Sequence, residues 1–329
     1  MNLLVTGGAG YIGSICVEML LRKGHGVVVV DNLQEGHREA VLPDAIFYKG
    51  NFGNRELLQR IFRENALNGV IHFAAETTIA FSMTDPALYF QNNTVNSITL
   101  LEVMREFDCK RMIFSSTAAT FGEPEYTPVD ERHPQEPINA YGESKLMFEK
   151  VLEWYHRAYG LRFNAFRYFN AAGASKRLGE AHRHESHLIP LIIQTVLGQK
   201  DRLQIFGNDY QTKDGTCIRD YIHVLDLGEA HIRALENLDR NPTGKYNLGN
   251  GQGFSNLEVV RMVEQVSGRQ VPFEMAGRRP GDPAVLVASS ALARKELGWE
   301  PRFTKIEEIV ETAWQWHKNN PNGYLAHGS

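Results

Sequence analysis

The architecture follows first from one glycine-rich stretch, Leu3-Leu-Val-Thr-Gly7-Gly8-Ala9-Gly10-Tyr11-Ile12-Gly13. A short apolar run, typical of a buried parallel strand, leads into the glycines and then into a helix-like segment. Gly8, Gly10 and Gly13 have the spacing G-x-G-x-x-G, and counting from Gly7 gives G-x-x-G-x-x-G. Glycines at this spacing permit a tight turn that brings backbone amides and a helix N-terminus close to a pyrophosphate. The stretch therefore predicts a dinucleotide-binding turn.

The next apolar run, residues 26–30, ends at Asp31 and is predicted to be a second strand. A carboxylate at this position can accept hydrogen bonds from the adenosine ribose and would repel a 2′-phosphate. Asp31 therefore favours NAD over NADP.

Strand-like and helix-like segments continue to alternate along the chain. We predict strands at residues 45–48, 69–73, 111–115 and 161–168, and helices at 55–64, 87–107 and from Tyr141 to about 159. Such repetition predicts an α/β fold with a Rossmann-like, doubly wound parallel sheet. After Asn170 the pattern loosens. We expect an NAD-binding domain over residues 1–168 and a smaller α/β substrate domain over 169–329, with some interleaved segments.

Composition suits a globular enzyme and excludes several other classes. The 329 residues are 43% hydrophobic and 22% charged, with a net charge of −4, so a general attraction to nucleic acid or anionic membrane is not expected. Cys16, Cys109 and Cys217 are widely spaced and predict reduced thiols, with neither a disulfide framework nor a metal site. Strand-like residues begin at Asn2, which leaves no room for a signal peptide, and no apolar run reaches membrane-spanning length. We expect a cytoplasmic protein.

Tyr141 and Lys145 are the residues most informative about chemistry. On a helix they lie one turn apart on the same face. The pKa of a free phenol is about 10, and an ammonium group one turn away would favour the phenolate, which makes Tyr141 a candidate general base. Thr117 follows the predicted fifth strand, at the edge where open α/β sheets bind ligands. Its hydroxyl either hydrogen-bonds a substrate beside Tyr141 or only caps the strand end.

At this point a family resemblance is evident. Five segments resemble the extended short-chain dehydrogenase/reductase superfamily: the glycine turn with Tyr11-Ile12, Asp31-Asn32-Leu33, Phe114-Ser-Ser-Thr-Ala-Ala, Tyr141-Gly-Glu-Ser-Lys145 and Arg167-Tyr-Phe-Asn170. Three later segments are similar to those of the UDP-glucose 4-epimerase family within it: Asp214-Gly-Thr-Cys-Ile-Arg-Asp-Tyr-Ile-His223, Tyr246-Asn-Leu-Gly-Asn-Gly251 and Arg278-Arg-Pro-Gly-Asp282. The similarity covers nearly the whole chain.

The resemblance implies an isomerase with tightly bound NAD that interconverts UDP-glucose and UDP-galactose by transient oxidation at the sugar C4. Thr117, Tyr141 and Lys145 would be catalytic. The residues implied in cofactor binding are Gly7, Gly10, Tyr11, Ile12, Gly13, Asp31, Asn32, Asn51, Phe52, Phe73, Ala74, Ala75, Thr77, Asn93, Tyr141, Lys145 and Phe169. Those implied in binding the nucleotide sugar are Thr117, Asn170, His187, Leu188, Arg219, Tyr221, Arg279, Asp282 and Leu286.

The same resemblance implies a homodimer, formed by two long helices from each subunit near residues 87–107 and 141–159. It also bears on substrate breadth, because family members with tyrosine at the position of Leu286 tend to exclude N-acetyl groups. Leu286 therefore leads us to expect activity on UDP-N-acetylglucosamine and UDP-N-acetylgalactosamine as well.

The chain departs from the family pattern at a few positions. Asn51 replaces a common aspartate at the adenine, Ile15 a frequent histidine, Thr77 a common lysine and Phe121 a usual tyrosine. These changes bear on cofactor affinity and substrate fit more than on the reaction.

Two other function classes stay open. A nucleotide-sugar oxidoreductase or dehydratase would share the fold, but a dehydratase would carry Asp-Glu where this chain has Ala118-Ala119. An inactive NAD-sensing protein would have no need for Thr117, Tyr141 and Lys145 together.

Overall fold

A computed structural model describes residues 1–279 and 282–324. In these residues the strands are β1 Asn2–Thr6, β2 Gly26–Asp31, β3 Ile46–Lys49, β4 Gly69–His72, β5 Arg111–Ser115, β6 Arg162–Tyr168, β7 Asn170–Ala172, β8 Leu203–Phe206, β9 Ile218–His223, β10 Thr243–Leu248, β11 Gly253–Ser255, β12 Phe273–Ala276 and β13 Val285–Leu286. The α-helices are α1 Tyr11–Arg22, α2 Arg55–Glu64, α3 Ile79–Thr84, α4 Pro86–Tyr89, α5 Asn96–Glu106, α6 Ala140–Tyr159, α7 Leu188–Val196, α8 Val224–Asn237, α9 Asn256–Ser267, α10 Ala291–Leu297 and α11 Ile306–Asn319.

Seven strands form a parallel sheet in the order β10-β6-β5-β4-β1-β2-β3. β1 lies next to the central strand β4, and its Leu3 pairs with Val27 of β2 on one side and Gly69 of β4 on the other. Strands β1 to β3 follow one another towards one edge of the sheet, and β4, β5, β6 and β10 towards the other, so the strand order reverses between β1 and β4. Ligands of open α/β sheets bind outside the carboxyl ends of the strands at such a point. The predicted fold class is confirmed.

Helices cover both faces of this sheet because its central strands are apolar on both sides. Val5 and Val29 contribute to the core against α1 and α8, whereas Leu4 and Val28 contribute to the core against α2, α5 and α6. Trp299, fully buried, closes the first of these cores. The alternation of side chains along β1 and β2 therefore anchors a helix layer on each face.

Part of the later sequence returns to the large sheet. β10 pairs with β6 in parallel over Thr243–Leu248, and α8 packs against α1. The rest forms a smaller unit in which β9 pairs with β7, β11 and β13, while β8 pairs with β12. Apolar residues of α7, α9 and α11 form its core. The division at residue 168 remains a prediction.

The helix predicted over residues 87–107 differs from the observed one. Pro86 begins α4, and Asp85 caps it by accepting a hydrogen bond from the Leu88 amide at 3.3 Å. Residues Phe90–Val95 are π-helical, and α5 follows and ends at Glu106. The predicted helix is therefore present from Pro86 to Glu106, but a π-helical stretch separates its two α-helical parts.

None of the helices within the described ranges combines the length and the hydropathy that crossing a membrane requires.

Candidate active site

The glycine turn after β1 has the close packing that a phosphate-binding turn needs. Gly7 has φ of 72°, and a Cβ there would lie 2.6 Å from the Ala74 nitrogen. A Cβ on Gly13 would lie 2.2 Å from the Gly7 oxygen, so both positions exclude larger residues. At Gly10, directly before α1, a Cβ would meet the Gly7 oxygen at 3.4 Å. The N-terminus of α1 is thus exposed to an anionic ligand, and the turn fits the pyrophosphate of NAD.

Asp31 stands at the carboxyl end of β2 and is 8% exposed. Its two oxygens accept hydrogen bonds from the Ala9 and Leu33 amides at 3.0 and 2.8 Å. Burial raises the pKa of Asp31, and the two amides oppose that effect. Each carboxylate oxygen has a further lone pair for a ribose hydroxyl. Asp31 therefore fits the predicted ribose contact.

The other implied cofactor residues follow β3 and β4. Asn51 is exposed, and its side-chain oxygen accepts a hydrogen bond from the Gly53 amide at 2.7 Å. Phe52 is buried, and its ring meets His72 edge-on at 4.9 Å. Thr77 is exposed. The Asn51 amide oxygen retains one lone pair for the adenine amine.

Asn93 is the polar centre of the π-helical stretch and is buried. Its amide accepts from the Glu76 nitrogen at 2.8 Å, donates to the Glu76 oxygen at 2.9 Å and donates to the Ser144 hydroxyl at 3.0 Å. Asn93 thereby fixes the segment after β4 against α6. Any contact it makes with the cofactor is additional to this structural role.

Thr117, Tyr141 and Lys145 come together at the carboxyl end of β5. Tyr141 and Lys145 lie in α6, which Asn139 caps by accepting a hydrogen bond from the Gly142 amide at 2.8 Å. The Thr117 hydroxyl accepts a hydrogen bond from the Ala119 amide at 3.1 Å and begins a short 3₁₀ turn. The same hydroxyl acts to lower the pKa of the Tyr141 phenol. The capping role considered for Thr117 is therefore seen, and its hydrogen bond to a substrate beside Tyr141 stays a prediction.

The charge balance around Tyr141 differs from the one expected. Burial raises the pKa of Tyr141, and the hydrogen bond with Thr117 acts in the opposite direction. Lys145 donates a hydrogen bond to the Ser115 carbonyl at 2.9 Å, and its Nζ lies 4.9 Å from the centre of the Phe114 ring. Burial lowers the pKa of Lys145 to about 7, with Glu149 opposing it. Lys145 is not among the groups that shift the pKa of Tyr141 here, and its expected effect on the phenol stays a prediction.

A buried ion pair next to these residues was missed by the sequence analysis. Glu149 lies one turn beyond Lys145 in α6 and accepts hydrogen bonds from Arg167 at 3.0 and 2.5 Å. It also accepts a 2.5 Å hydrogen bond from Ser116, the neighbour of Thr117. Both charged side chains are nearly inaccessible. The four-residue spacing from Tyr141 through Lys145 to Glu149 was the available signal.

The small sheet brings together most of the residues implied in substrate binding. Asn170 pairs with Tyr221 between β7 and β9, and Leu286 of β13 pairs with Arg219. Arg219 donates to the Pro283 carbonyl at 2.7 Å and lies 3.3 Å from the Asp282 carboxylate. These contacts hold its guanidinium in place as a potential phosphate ligand.

Leu286 connects this sheet to the catalytic group, because it packs against the cluster that contains Ala118, Phe121 and Phe169. The guanidinium of Arg279 lies 4.4 Å from the centre of the Phe206 ring.

His187 and Leu188 adjoin at the start of α7 but have different surroundings. Leu188 packs against the core of the smaller unit. The His187 side chain faces Glu180 and Glu185, both at 2.9 Å, and does not join the residues of the small sheet. Burial opposes protonation of His182 beside it, but hydrogen bonds with Glu180 and Glu185 prevail and raise the pKa of His182 to about 9. A substrate contact at position 187 would therefore fall to the backbone.

A glycine turn at a sheet switch point, a carboxylate at the end of β2 and a Thr-Tyr-Lys group are together typical of a dinucleotide-dependent enzyme of the doubly wound α/β class. Residues 3–249 match the NAD dependent epimerase/dehydratase family, and the chain belongs to that family. Its cofactor is NAD.

Individual proteins are similar over the full length. A UDP-glucose 4-epimerase of Halalkalibacterium halodurans is 52% identical over 327 residues, which cover 98% of each chain. A solved UDP-glucose 4-epimerase is 49% identical with a TM-score of 0.96, covering 98% of this chain and 99% of the other. The enzyme of the same name from Bifidobacterium longum, solved with NAD⁺ and UDP, is 36% identical with a TM-score of 0.94, covering 98% of this chain and 100% of the other.

Proposed function

We propose that the chain is an epimerase that interconverts UDP-glucose and UDP-galactose through transient oxidation at the sugar C4. The observation that carries this proposal is the grouping of Thr117, Tyr141 and Lys145 at the carboxyl end of β5. The full-length similarity to UDP-glucose 4-epimerases supports the choice of substrate.

NAD, when bound, would supply a reversible acceptor for the hydride at C4. Tyr141, as phenolate, accepts the proton of the sugar 4-hydroxyl, which leaves a 4-keto sugar when the hydride departs. Thr117 holds the hydroxyl and phenolate in hydrogen-bonding distance. Once the 4-keto sugar has turned over, Tyr141 returns the proton and the hydride would enter at the opposite face, which would give the other epimer without net redox change.

The charged groups fit this sequence of steps. The positive charge of oxidised NAD would favour the Tyr141 phenolate and so oppose the effect of burial. Lys145 is held by the Ser115 carbonyl on the same face of α6 and can add charge or bind the nicotinamide ribose, as the family resemblance implies. Arg219 and Arg279 are proposed to bind the substrate pyrophosphate.

We also propose that two copies pair through α6 and the segment before α5. Trp154 and Met147 lie two turns apart on α6 and are 65% and 39% exposed. Phe81 of α3 is 60% exposed, and α3 packs against α6. Large exposed apolar residues gathered in one region indicate an interaction surface, and a second copy is the partner that the family resemblance implies.

Cys16, Cys109 and Cys217 are buried free thiols. Such thiols suit a reducing compartment, and we propose the cytoplasm.

Purified protein incubated with UDP-galactose tests the proposed reaction. We expect UDP-glucose to form without net NADH absorbance. The Tyr141→Phe variant should lose at least about 10²-fold in kcat and keep its NAD, since only the titrating oxygen is removed. Net NADH would instead indicate an oxidoreductase, and a 4-keto-6-deoxy product a dehydratase. Absence of turnover would support an NAD-sensing protein, and near-normal kcat of Tyr141→Phe would remove Tyr141 as the base.

A further inference from the structure

The loop between β7 and α7 carries a cluster of two glutamates and two histidines that the proposed reaction does not use. Glu180 Oε1 lies 2.9 Å from His187 Nδ1 and 3.2 Å from His182 Nδ1. Glu185 places one oxygen 2.9 Å from His187 Nδ1 and the other 3.4 Å from His182 Nδ1. One ligand atom from each of the four residues lies within 4.8 Å of the other three.

The chemistry of the four groups suits one metal in particular. Two imidazole nitrogens and two carboxylate oxygens are a donor set that Zn²⁺ accepts, whereas Mg²⁺ and Ca²⁺ prefer oxygen alone. Zn–N and Zn–O bonds are about 2.0–2.1 Å long, so neighbouring ligands of a tetrahedral zinc lie about 3.3–3.4 Å apart. The four closest N–O distances, 2.9 to 3.4 Å, are near this value, and the other ligand–ligand distances, all within 4.8 Å, would shorten when the metal binds.

Burial and charge point the same way. The carboxylates of Glu180 and Glu185 are only 4% and 5% exposed, and two negative charges this close together in a buried place require compensation. Protonated His182 and His187 supply that compensation without a metal, and a divalent cation would neutralise both carboxylates in their place. His182 and His187 are more exposed, which leaves a route by which a metal can enter.

We propose that Glu180, His182, Glu185 and His187 bind one Zn²⁺ per chain as a closed, four-ligand structural site. The pattern Glu-x-His-x-x-Glu-x-His within eight residues of loop was the signal in the sequence, where no metal was expected. With four protein ligands the zinc has no open position for a substrate, so it does not act as a Lewis acid in the reaction.

The position of the cluster indicates what the metal stabilises. The His182 ring meets the edge of Tyr11, the first residue of α1, with ring centres 6.2 Å apart. The Tyr11 hydroxyl donates a 2.6 Å hydrogen bond to the Gly173 carbonyl, at the start of the same loop. Zinc would therefore fix the loop across the dinucleotide turn and set the start of α7 beside it.

The test uses the full chain, treated with EDTA and dialysed, and ZnCl₂ as the probe. Zinc content after gel filtration and competition with a chromophoric chelator give stoichiometry and affinity. We expect one Zn²⁺ per chain, a melting temperature raised by several degrees, and no displacement by excess Mg²⁺. His182→Ala and the near-isosteric Glu185→Gln should weaken binding by at least about 10²-fold, since loss of a ligand exceeds the 10–100-fold effect of second-shell changes.

His184→Ala is the matched control, because His184 lies in the same loop, is 75% exposed and faces Glu35 instead of the cluster. It should bind zinc like the unchanged protein, and circular dichroism verifies that all variants are folded. The proposal fails if the unchanged protein retains no zinc after gel filtration, because the glutamates and histidines would then pair only with each other. It also fails if His184→Ala loses zinc as His182→Ala does, or if Glu185→Gln retains it fully.

Discussion

At the scale of the residue, Tyr141 is subject to two opposed effects on its ionisation. Burial disfavours the phenolate, and the hydrogen bond with Thr117 favours it. Lys145 does not enter this balance in the protein alone, because burial lowers its own pKa to about 7 and leaves it neutral where a phenol titrates. A catalytic group is most useful when its pKa lies near the working pH, so each contribution that lowers the pKa of Tyr141 bears on the rate.

Thr117→Val tests the threonine contribution. Removing the hydroxyl removes an effect that lowers the pKa of Tyr141, so the folded-state pKa rises and less phenolate is present at any given pH. The rising limb of kcat/KM against pH should therefore move to higher pH. Thr99→Val, which removes a hydroxyl bonded to the Val95 carbonyl of its own helix, should leave the limb in place. An unchanged limb in Thr117→Val would show that the hydroxyl does not tune Tyr141.

Leu286 is the residue at which we expect substrate breadth to be set. It is half-buried between Arg219 of β9 and the cluster around Phe169. Leu286→Tyr should suppress activity on UDP-N-acetylglucosamine relative to UDP-glucose by about 5- to 150-fold, because overfilling a packed site costs about 1–3 kcal/mol. Leu286→Met conserves volume and should retain both activities. Equal loss of both substrates in Leu286→Tyr, or no activity on the acetylated sugar in the unchanged protein, would remove Leu286 as the determinant.

At the scale of the element, α6 unites three functions on one face. Tyr141, Lys145 and Glu149 follow one another at intervals of four residues, so they lie in successive turns. Glu149 binds Arg167 of β6 and Ser116 of the loop after β5, which joins the helix to two strands of the sheet. The helix that carries the proposed base is thus positioned by a buried ion pair.

Glu149→Gln tests this role by unfolding in urea. Arg167 would be left as an uncompensated buried charge, and the free energy of unfolding should fall by about 3–5 kcal/mol. Glu153→Gln is the control one turn further along α6. Its half-exposed ion pair with Lys245 should contribute less than about 1 kcal/mol. Similar losses in the two variants would mean that the buried pair has no special structural role.

The pattern of apolar and polar residues within a segment was enough to predict several helices and strands. β5 and α2 have the predicted bounds, and α6 ends at the predicted residue, Tyr159. The π-helical stretch could not be predicted in this way. Asn93 satisfies the Glu76 backbone and the Ser144 hydroxyl, and these partners lie 17 and 51 residues away in sequence. A helix distorted by distant contacts has no periodicity of its own that would identify the distortion.

At the scale of the whole molecule, contacts between residues distant in sequence again explain what could not be predicted, here the return of the later chain to the large sheet. β10 completes the large sheet only because it pairs with β6, which ends 75 residues before β10 begins. The catalytic and dinucleotide groups lay in contiguous motifs and could be predicted. The ion pair of Glu149 with Arg167 becomes visible only where α6 packs against β6, whereas the four candidate metal ligands lie within eight consecutive residues.

Assembly is the last property that belongs to the whole molecule. If two copies pair through α6, the chain should sediment as a species of twice 37.2 kDa. Met147 and Trp154 lie seven residues apart on one exposed face, so lysines at both positions would place four like charges in a two-fold interface. The Met147→Lys, Trp154→Lys double variant should therefore sediment as a monomer at micromolar concentration.

Phe273→Lys supplies the control for this prediction. Phe273 lies in β12 of the smaller unit and is 41% exposed, close to the exposure of Met147. The substitution Phe273→Lys adds charge at an exposed apolar position outside the proposed interface. The dimer should therefore persist in this variant. The homodimer would be contradicted if the unchanged chain sedimented as a monomer. If the dimer survived in the double variant but dissociated in Phe273→Lys, the interface would lie on the smaller unit. We expect dissociation in the double variant and none in Phe273→Lys, because only Met147 and Trp154 lie on the exposed apolar face of α6.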